Sequence, residues 1–228
     1  MTKVVSIDVG GTFIKYGLYD LERNRLENTG KVSTPQKNLF DFIKVLYEIC
    51  NKFSDNYEGV ALSVPGTIDT KSGVIIQGGS LQYNNQINLV ELLQSKLNVP
   101  VTIENDARCA LLAELWRGKL KETQDGVMLT VGTGIGGATA KNGRIILGSH
   151  RIAGEFSALL DSNDTQISSF KGRELSFSYF VKAAQTLKND GNLEGIDVMN
   201  LARKKDPEVL SLLSQYTTVF ARLIYNLQ

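Results

Sequence analysis

The sequence predicts an α/β fold in two halves, each of which opens with a strand that runs into a glycine turn. The first glycine turn is Gly10-Gly11, and the second is the glycine-rich run from Gly132 to Gly137. Between them, Glu104-Asn105-Asp106 forms an acidic turn where a predicted strand meets a predicted helix. In α/β proteins, side chains in such a turn lie at the carboxyl edge of a sheet, where ligands bind. We expect two α/β domains, residues 1–118 and 119–228.

Composition excludes several functional classes. The chain has 228 residues, of which 42% are hydrophobic, so it can bury a real core. It has 25 basic and 24 acidic residues, and the basic residues form no stripe that would indicate a nucleic-acid partner. No apolar run is long enough for a bilayer, and the N-terminus lacks a signal-peptide pattern. With Cys50 and Cys109 as the only cysteines and His150 as the only histidine, we expect no zinc site and a soluble, cytoplasmic protein.

The first half alternates strands and helices. The apolar run Val4–Val9 has strong strand propensity, and a β-like pattern returns from Phe13 to Leu18. Apolar residues on one face predict an amphipathic helix over Leu39–Phe53. The remaining predicted elements are a possible third strand at Arg25–Val32, a strand at Gly59–Val64 before Pro65-Gly66, a turn at Asp69–Gly73, a helix at Leu89–Leu97, a strand at Val99–Ile103 and a helix at Ala107–Trp116.

The second half begins with a hairpin and continues as helices. The strand Gly126–Val131 enters the second glycine turn, and Asn142-Gly143 between β-like segments is a strong hairpin signal. A helical region is predicted over Phe170–Lys188. Asp206-Pro207 supplies an N-cap and a first-position proline for a helix that continues to Leu227.

The first glycine turn has the chemistry of a phosphate-binding loop. Gly10 and Gly11 expose backbone N–H groups, while Thr12 and Lys15 add a hydroxyl donor and a cation. Asp8, at the end of the strand, is placed for the Mg²⁺ that accompanies a nucleotide. The alternative is an ordinary hairpin in which Lys15 is simply an exposed strand residue.

The second glycine turn resembles a dinucleotide fingerprint only in its letters. Gly132, Gly134 and Gly137 satisfy G-x-G-x-x-G, and Glu155 lies at about the spacing of a ribose-binding acid. A Rossmann loop must open a helix whose N-terminus holds the pyrophosphate. Here the glycines lead instead into Ala138–Lys141 and a hairpin turn, which disfavours a dinucleotide site.

Five collinear segments resemble the ROK family (repressors, open reading frames and kinases) of the actin-like ATPase superfamily. They are IDVGGTFIKYGL, the dipeptide Pro65-Gly66, IENDARCALLAE at Ile103–Glu114, LTVGTGIGGA at Leu129–Ala138 and AGEF at Ala153–Phe156. The resemblance implies an actin-like, ribonuclease H-like fold of two α/β domains with a cleft between them. It also implies an incomplete second domain, because family members usually continue into a strand and a glycine pair that cradle adenosine.

The resemblance implies an ATP-dependent kinase for a hexose or hexose derivative of the glucose, N-acetylhexosamine or glucoside class. Asp106 would be the catalytic base, and ATP with Mg²⁺ near Asp8 would be the cofactors. The implied sugar-binding residues are Gly66, Ser80, Asn84, Asn105, Asp106 and Glu155. The implied phosphate loops are Asp8, Gly10, Gly11, Thr12 and Lys15 for the first, and Gly132, Thr133, Gly134, Gly136 and Gly137 for the second.

Besides the incomplete second domain, this sequence departs from the family pattern at two places outside the five matched segments. Many members follow AGE with Gly-His and a cysteine-rich zinc motif, where Ser157 and Ala158 stand here, so the resemblance also implies no zinc. Ser80 occupies a position that is often asparagine, which leaves the sugar undetermined.

Other functions remain open at this stage. The chain could be a non-catalytic sugar-binding regulator, since the family includes repressors. Such repressors usually carry an N-terminal helix-turn-helix, and here the first phosphate loop begins almost at Met1, which favours the kinase. An actin-like ATPase switch is more distant. Asp106 could be only a helix N-cap, and Glu155 only a solvated charge. The resemblance also allows a homodimer.

Overall fold

The computed structural model describes residues 2–53, 56–156 and 175–227, so Ser157, Ala158 and the start of the predicted helix at Phe170 lie outside it. The chain divides into two compact units. The first unit comprises Met1–Ala113 and Gly148–Ile152, and the second comprises Glu114–Leu147 and Ala153–Gln228. The boundary predicted after residue 118 stays a prediction, and the return of residues 148–152 to the first unit has no counterpart in the sequence pattern.

The first unit combines two sheets with helices. Its strands are β1 (Lys3–Val9), β2 (Phe13–Asp20), β3 (Arg25–Ser33), β4 (Gly59–Val64), β5 (Thr67–Asp69), β6 (Val74–Gln77), β7 (Ile87–Asn88) and β8 (Val101–Asn105). Its helices are α1 (Leu39–Asn51), α2 (Leu89–Leu97) and α3 (Asp106–Arg117), the last of which runs past the boundary of the unit, and a short 3₁₀ turn covers Gln82–Asn84.

The central sheet determines where the candidate site lies. Its five strands have the order β3-β2-β1-β4-β8. The first three strands form an antiparallel meander, whereas β1, β4 and β8 run parallel to one another. Parallel strands present their carboxyl ends at one edge, so Asp8, Val64 and Asn105 come to the same side of this sheet.

Strand and helix periodicities produce one core beneath this sheet. Val5, Ile7 and Val9 alternate along β1 and are all buried, as the period of two in a strand requires. Helix α1 buries Phe42 and its neighbours one and two turns later against the same cluster. Cys50 belongs to this cluster too and is therefore a core residue of the first unit.

The second unit contains an antiparallel sheet and three helices. Its elements are β9 (Gly126–Val131), β10 (Ile135–Lys141), β11 (Arg144–Ile145), α4 (Phe177–Lys188), α5 (Gly195–Arg203) and α6 (Pro207–Asn226). The strands have the order β11-β10-β9, and the helices pack around Phe180, Val198 and Val209. The second glycine turn therefore joins two antiparallel strands rather than opening a helix.

Several elements differ from their predicted positions. The strand predicted at Val99–Ile103 lies at Val101–Asn105, because α2 ends at Asn98 in a left-handed conformation and Pro100 cannot donate to a ladder. Helix α5 was not predicted, because its N-cap is Glu194, which is not one of the preferred cap residues. Strands β5 to β7 are too short for their periodicity to be read. None of the helices in the described ranges combines the length and apolar character needed to cross a bilayer.

Two phenylalanines of α1 allow a test of which helix face is buried. Phe42 is fully buried and packs against the Tyr83 ring, whereas Phe40 is 77% exposed. We expect Phe42→Ala to lower the free energy of unfolding by about 3–5 kcal/mol, because it leaves a core cavity. Phe40→Ala should change it by less than about 0.5 kcal/mol. Urea titration followed by circular dichroism measures both, and equal losses would contradict the assigned face.

Candidate active site

The first glycine turn is held from behind by residues that no local sequence pattern indicates. Gly10 N–H donates to Phe13 O at 3.0 Å and closes the turn. The Thr34 hydroxyl donates to Gly10 O at 2.7 Å, and the Gln36 amide donates to Gly11 O at 2.8 Å. These bonds secure the carbonyl oxygens of the turn across more than twenty residues of sequence.

Asp8 and Lys15 lie together at this turn. The Ser63 hydroxyl donates to Asp8 Oδ1 at 2.9 Å, and Lys15 Nζ lies 3.9 Å from Asp8 Oδ2. The side chains of Asp8 and Lys15 are 51% and 70% exposed, and Thr12 is exposed as well. An ion pair this exposed contributes little to stability, so its two charges remain accessible to a ligand.

The loops that carry Gly66 and Ser80 pack against each other and against the first glycine turn. Gly66 has φ +102°, and a Cβ there would lie 1.9 Å from Gln77 O, so only glycine fits. Gly79 also has a positive φ, +59°. The Ser80 hydroxyl lies 3.5 Å from the position that a Cβ would take at Gly11. Two loops predicted to bind different ligands are therefore neighbours.

Asn84 is a buried polar residue in the same loop. It is 1% exposed, and its Oδ1 atom has no hydrogen-bond partner among the described residues. Its neighbour Asn85 shapes the loop by accepting the Gly78 N–H at 2.7 Å. Since an unpaired buried amide oxygen costs free energy, this atom fits a loop that receives a polar ligand.

In the acidic turn after β8, one residue caps the helix and the next carries an exposed carboxylate. The buried Asn105 side chain donates to Gly66 O at 3.0 Å and to Asp106 Oδ1 at 2.9 Å. Its own Oδ1 accepts the Arg108 N–H at 3.1 Å, which is the N-cap bond of α3. Asp106 is exposed, and its Oδ1 also accepts the Ala107 N–H. Asn105, not Asp106, therefore caps the helix, and the helix dipole favours the charge on Asp106.

A cluster of charged residues lies beside this turn, and the sequence pattern does not indicate it. Arg108 is 4% exposed, with its Nη1 3.4 Å from Glu104 Oε1, and its Nη2 donates to the carbonyl oxygen of Arg151. The Arg151 guanidinium lies 3.0 Å from Asp69 Oδ1. The Ser72 hydroxyl, with help from the Arg151 charge, lowers the pKa of Asp69. Asp69 consequently stays ionised at neutral pH.

The second glycine turn is anchored to α4 and open on its other side. Gly132 N–H donates to Gly134 O at 2.9 Å, and Gly132 O accepts the Ser178 N–H at 3.2 Å. A Cβ at Gly132 or Gly134 would meet no atom of the described residues within 4 Å. Thr133, between them, is exposed. Packing within the described part of the chain therefore does not require glycine at these two positions.

Gly137 has a different reason to be glycine. A Cβ there would lie 1.9 Å from the Phe156 ring and 2.7 Å from Gly154 O. Gly137 therefore accommodates the segment Ala153–Phe156, in which Glu155 is half-buried, as is Gly136 beside it in β10. The glycines of this one motif thus have two different roles, since two lie in an exposed turn and one makes a packing contact.

The residues present fit a nucleotide and a divalent cation. Asp8 offers an accessible carboxylate, a preferred ligand of Mg²⁺, and the two turns expose backbone at Gly11 and from Gly132 to Gly134. Among the described residues, no group of three or more His, Cys, Asp or Glu side chains forms a metal cluster. The predicted absence of zinc stays a prediction.

Burial raises the pKa of the Cys50 and Cys109 thiols to about 11, so both stay protonated at neutral pH.

Comparison with known proteins supports the resemblance found in the sequence. The family model described as ROK family matches residues 4–228. A β-glucoside kinase of Listeria monocytogenes is 38% identical over 156 residues, which cover 68% of this chain and 52% of that protein. An N-acetyl-D-glucosamine kinase of Vibrio cholerae is 31% identical over 151 residues, which cover 65% of this chain and 49% of that kinase. The chain thus spans about half the length of these curated relatives.

A solved structure supports the fold. A ROK family protein from Streptococcus pneumoniae, in complex with sucrose, matches with a TM-score of 0.84 and 27% identity. The match covers 100% of this chain and 76% of that one. The predicted actin-like α/β fold is confirmed. With two glycine hairpins, an Asn-Asp turn at the edge of a parallel sheet and a family match from residue 4 onward, the chain belongs to the ROK family.

Proposed function

We propose that the protein is an ATP-dependent sugar kinase that phosphorylates a hydroxyl of a hexose or hexose derivative. The observation that carries the proposal is the exposed carboxylate of Asp106, held at the N-terminus of a helix that Asn105 already caps. Capping does not account for that carboxylate, and catalysis would. The similarity to kinases of β-glucosides and N-acetyl-D-glucosamine supports the same conclusion.

Asp106 would act as the general base. As the new P–O bond forms, its carboxylate would accept the proton of the attacking hydroxyl. Hydrogen bonds from the Asn105 amide and the Ala107 N–H orient this carboxylate. Because Asn105 is itself fixed to Gly66 O, the base is attached to a rigid sheet edge. Such preorganisation is most of what phosphoryl transfer asks of a protein.

Polar groups of the chain would bind the remaining sugar hydroxyls. The proposed contacts are the backbone of Gly66 and the side chains of Ser80, Asn84, Asn105, Asp106 and Glu155. Both relatives named above act on rings of glucose configuration, so we infer a sugar of that configuration. Hydroxyls of such a ring need donors and acceptors in alternation, which amide, hydroxyl and carboxylate groups supply.

The glycine turns would bind the phosphates. In the first, the proposed contacts are Asp8, Gly10, Gly11, Thr12 and Lys15, and in the second they are Gly132, Thr133, Gly134, Gly136 and Gly137. ATP would supply the phosphoryl group, and Mg²⁺ near Asp8 would neutralise phosphate charge. Lys15 would add a positive charge. Backbone N–H groups of the turns, other than those of Gly10 and Gly132 that already donate within the turns, would donate to phosphate oxygens without side-chain entropy to lose.

Asp106→Asn distinguishes the base from a structural carboxylate. Asn cannot accept the hydroxyl proton at neutral pH, so turnover at saturating sugar should fall by about 10²–10⁴-fold. Thermal stability should hardly change, because Asn105 makes the cap bond. The matched control is Asp41→Asn, which removes a carboxylate from the first turn of α1 and should leave turnover unchanged. Sugar-dependent ADP release with ATP and Mg²⁺ is the measurement.

A variant that retains more than about a tenth of wild-type turnover would eliminate Asp106 as the base, once mass spectrometry excludes deamidation to aspartate. Sugar binding by the wild-type protein without any ADP release would instead indicate a sugar-binding regulator.

Alanine substitutions in the second glycine turn test its role in nucleotide binding. Gly132→Ala adds a methyl group where the described residues leave space, so the free energy of unfolding should change by less than about 0.5 kcal/mol. Its affinity for ATP with Mg²⁺ should nonetheless fall. Gly137→Ala should lower stability by about 1–3 kcal/mol through overpacking against Phe156. Thermal denaturation and calorimetric titration measure the two effects, and unaltered ATP affinity in Gly132→Ala would exclude this turn.

A further inference from the structure

A short loop leaves the second unit and groups with the first. Residues Gly148–Ile152 belong to the first unit, whereas Leu147 and Ala153 on either side belong to the second. The Ala153 N–H donates to Leu147 O at 3.1 Å, which closes the base of this 148–152 loop. The loop is thus a part of the first unit that lies between two stretches of the second unit in the sequence.

Arg151 is held within the first unit through both its backbone and its side chain. Its carbonyl oxygen accepts a hydrogen bond from the buried guanidinium of Arg108. Its own guanidinium pairs with Asp69 at 3.0 Å, with both side chains about three-quarters buried. The neighbouring residue His150 is exposed. The contacts are thus concentrated on Arg151.

Holding this loop costs free energy. Arg151 has φ +62°, a left-handed conformation that is strained for a residue with a Cβ. Burying the Arg108 guanidinium adds a desolvation penalty, which Glu104 and the Arg151 carbonyl offset. Strained conformations of this kind persist where the surrounding structure over-determines them, and they concentrate at functional sites.

The residues that hold the loop belong to the elements that carry the acceptor site. Arg108 lies on α3 two positions after Asp106, and its backbone N–H makes the cap bond to Asn105. Asp69 ends β5, the strand that directly follows Gly66. Asn105 in turn donates to Gly66 O. The loop is therefore fixed to the framework that positions the proposed base.

We propose that Arg108 and the Asp69–Arg151 ion pair are positioning residues that fix the 148–152 loop against Gly66, Asn105 and Asp106 of the first unit and thereby hold this framework in place for acceptor binding. This inference rests on the proposed kinase function. None of the three residues touches sugar or phosphate in it. They act through the backbone of the loop, and the expected defect is specific to the sugar.

Four variants test the positioning role kinetically. Arg151→Met and Asp69→Asn each remove the ion pair while nearly keeping side-chain size, Arg151→Lys keeps the charge, and His150→Ala is the matched control. We expect the first two to lower kcat/KM for the sugar about 10- to 100-fold, since a misplacement of about 1 Å can cost 10²-fold. The KM for ATP should not change. Arg151→Lys should recover part of the loss, and His150→Ala should match wild type.

Hydrogen exchange provides a readout that does not depend on activity. Peptides spanning residues 147–156 should exchange faster in Arg151→Met and Asp69→Asn than in wild type or His150→Ala, because local opening becomes easier. The ion-pair variants are preferred to Arg108→Met, which would leave the Arg151 carbonyl without its donor and lower overall stability.

The outcomes separate the two proposals. Unchanged exchange would overturn the anchoring of the loop, and faster exchange with unchanged sugar kinetics would overturn its role in acceptor binding. Equal losses toward ATP and sugar would indicate general damage and also overturn it. A wild-type protein that releases no ADP with any sugar would refute the kinase proposal, and with it the positioning role in acceptor binding, while exchange alone would still decide whether the loop is anchored.

Discussion

The side chain of Asn105 is the constraint on which the candidate site depends. One buried amide group donates to Gly66 O and to the Asp106 carboxylate, and accepts the N–H that begins α3. These bonds join the end of β8, the loop that follows the neighbouring strand β4, and the start of α3. A shorter side chain would break all of them, and aspartate would replace a donor by an acceptor. The orientation of Asp106 thus follows from the neighbour that precedes it.

Local features of the fold could be predicted from the sequence, and long-range contacts could not. Both glycine hairpins and the apolar face of α1 follow from patterns within about fifteen residues, which periodicity captures. The bonds from Thr34 and Gln36 to the first turn, and from Arg108 to Arg151, join residues 24 to 43 positions apart. No local pattern encodes such pairs. The family resemblance indicated the candidate residues themselves, but not the groups that orient them.

The open and the packed glycines show how one motif can serve two physical requirements. Gly132 and Gly134 meet nothing that would exclude a side chain within the described residues, whereas Gly137 faces the Phe156 ring. A ligand that needs bare backbone and a core that needs close packing both select glycine. The sequence motif alone does not show which requirement selects glycine at a given position. The space around each Cβ position shows it.

The contact between Gly137 and Phe156 also restricts the order in which this sequence can change. A Cβ at position 137 would overlap the ring by a wide margin, and Gly154 O would still be close after the ring had gone. A larger residue at 137 is therefore accessible to evolution only after 156 has lost its aromatic side chain and the backbone at 154 has shifted. Because residues in contact are energetically coupled, these steps are epistatic. The segment that carries Glu155 is thus confined to a narrow mutational path by a glycine eighteen positions before Glu155.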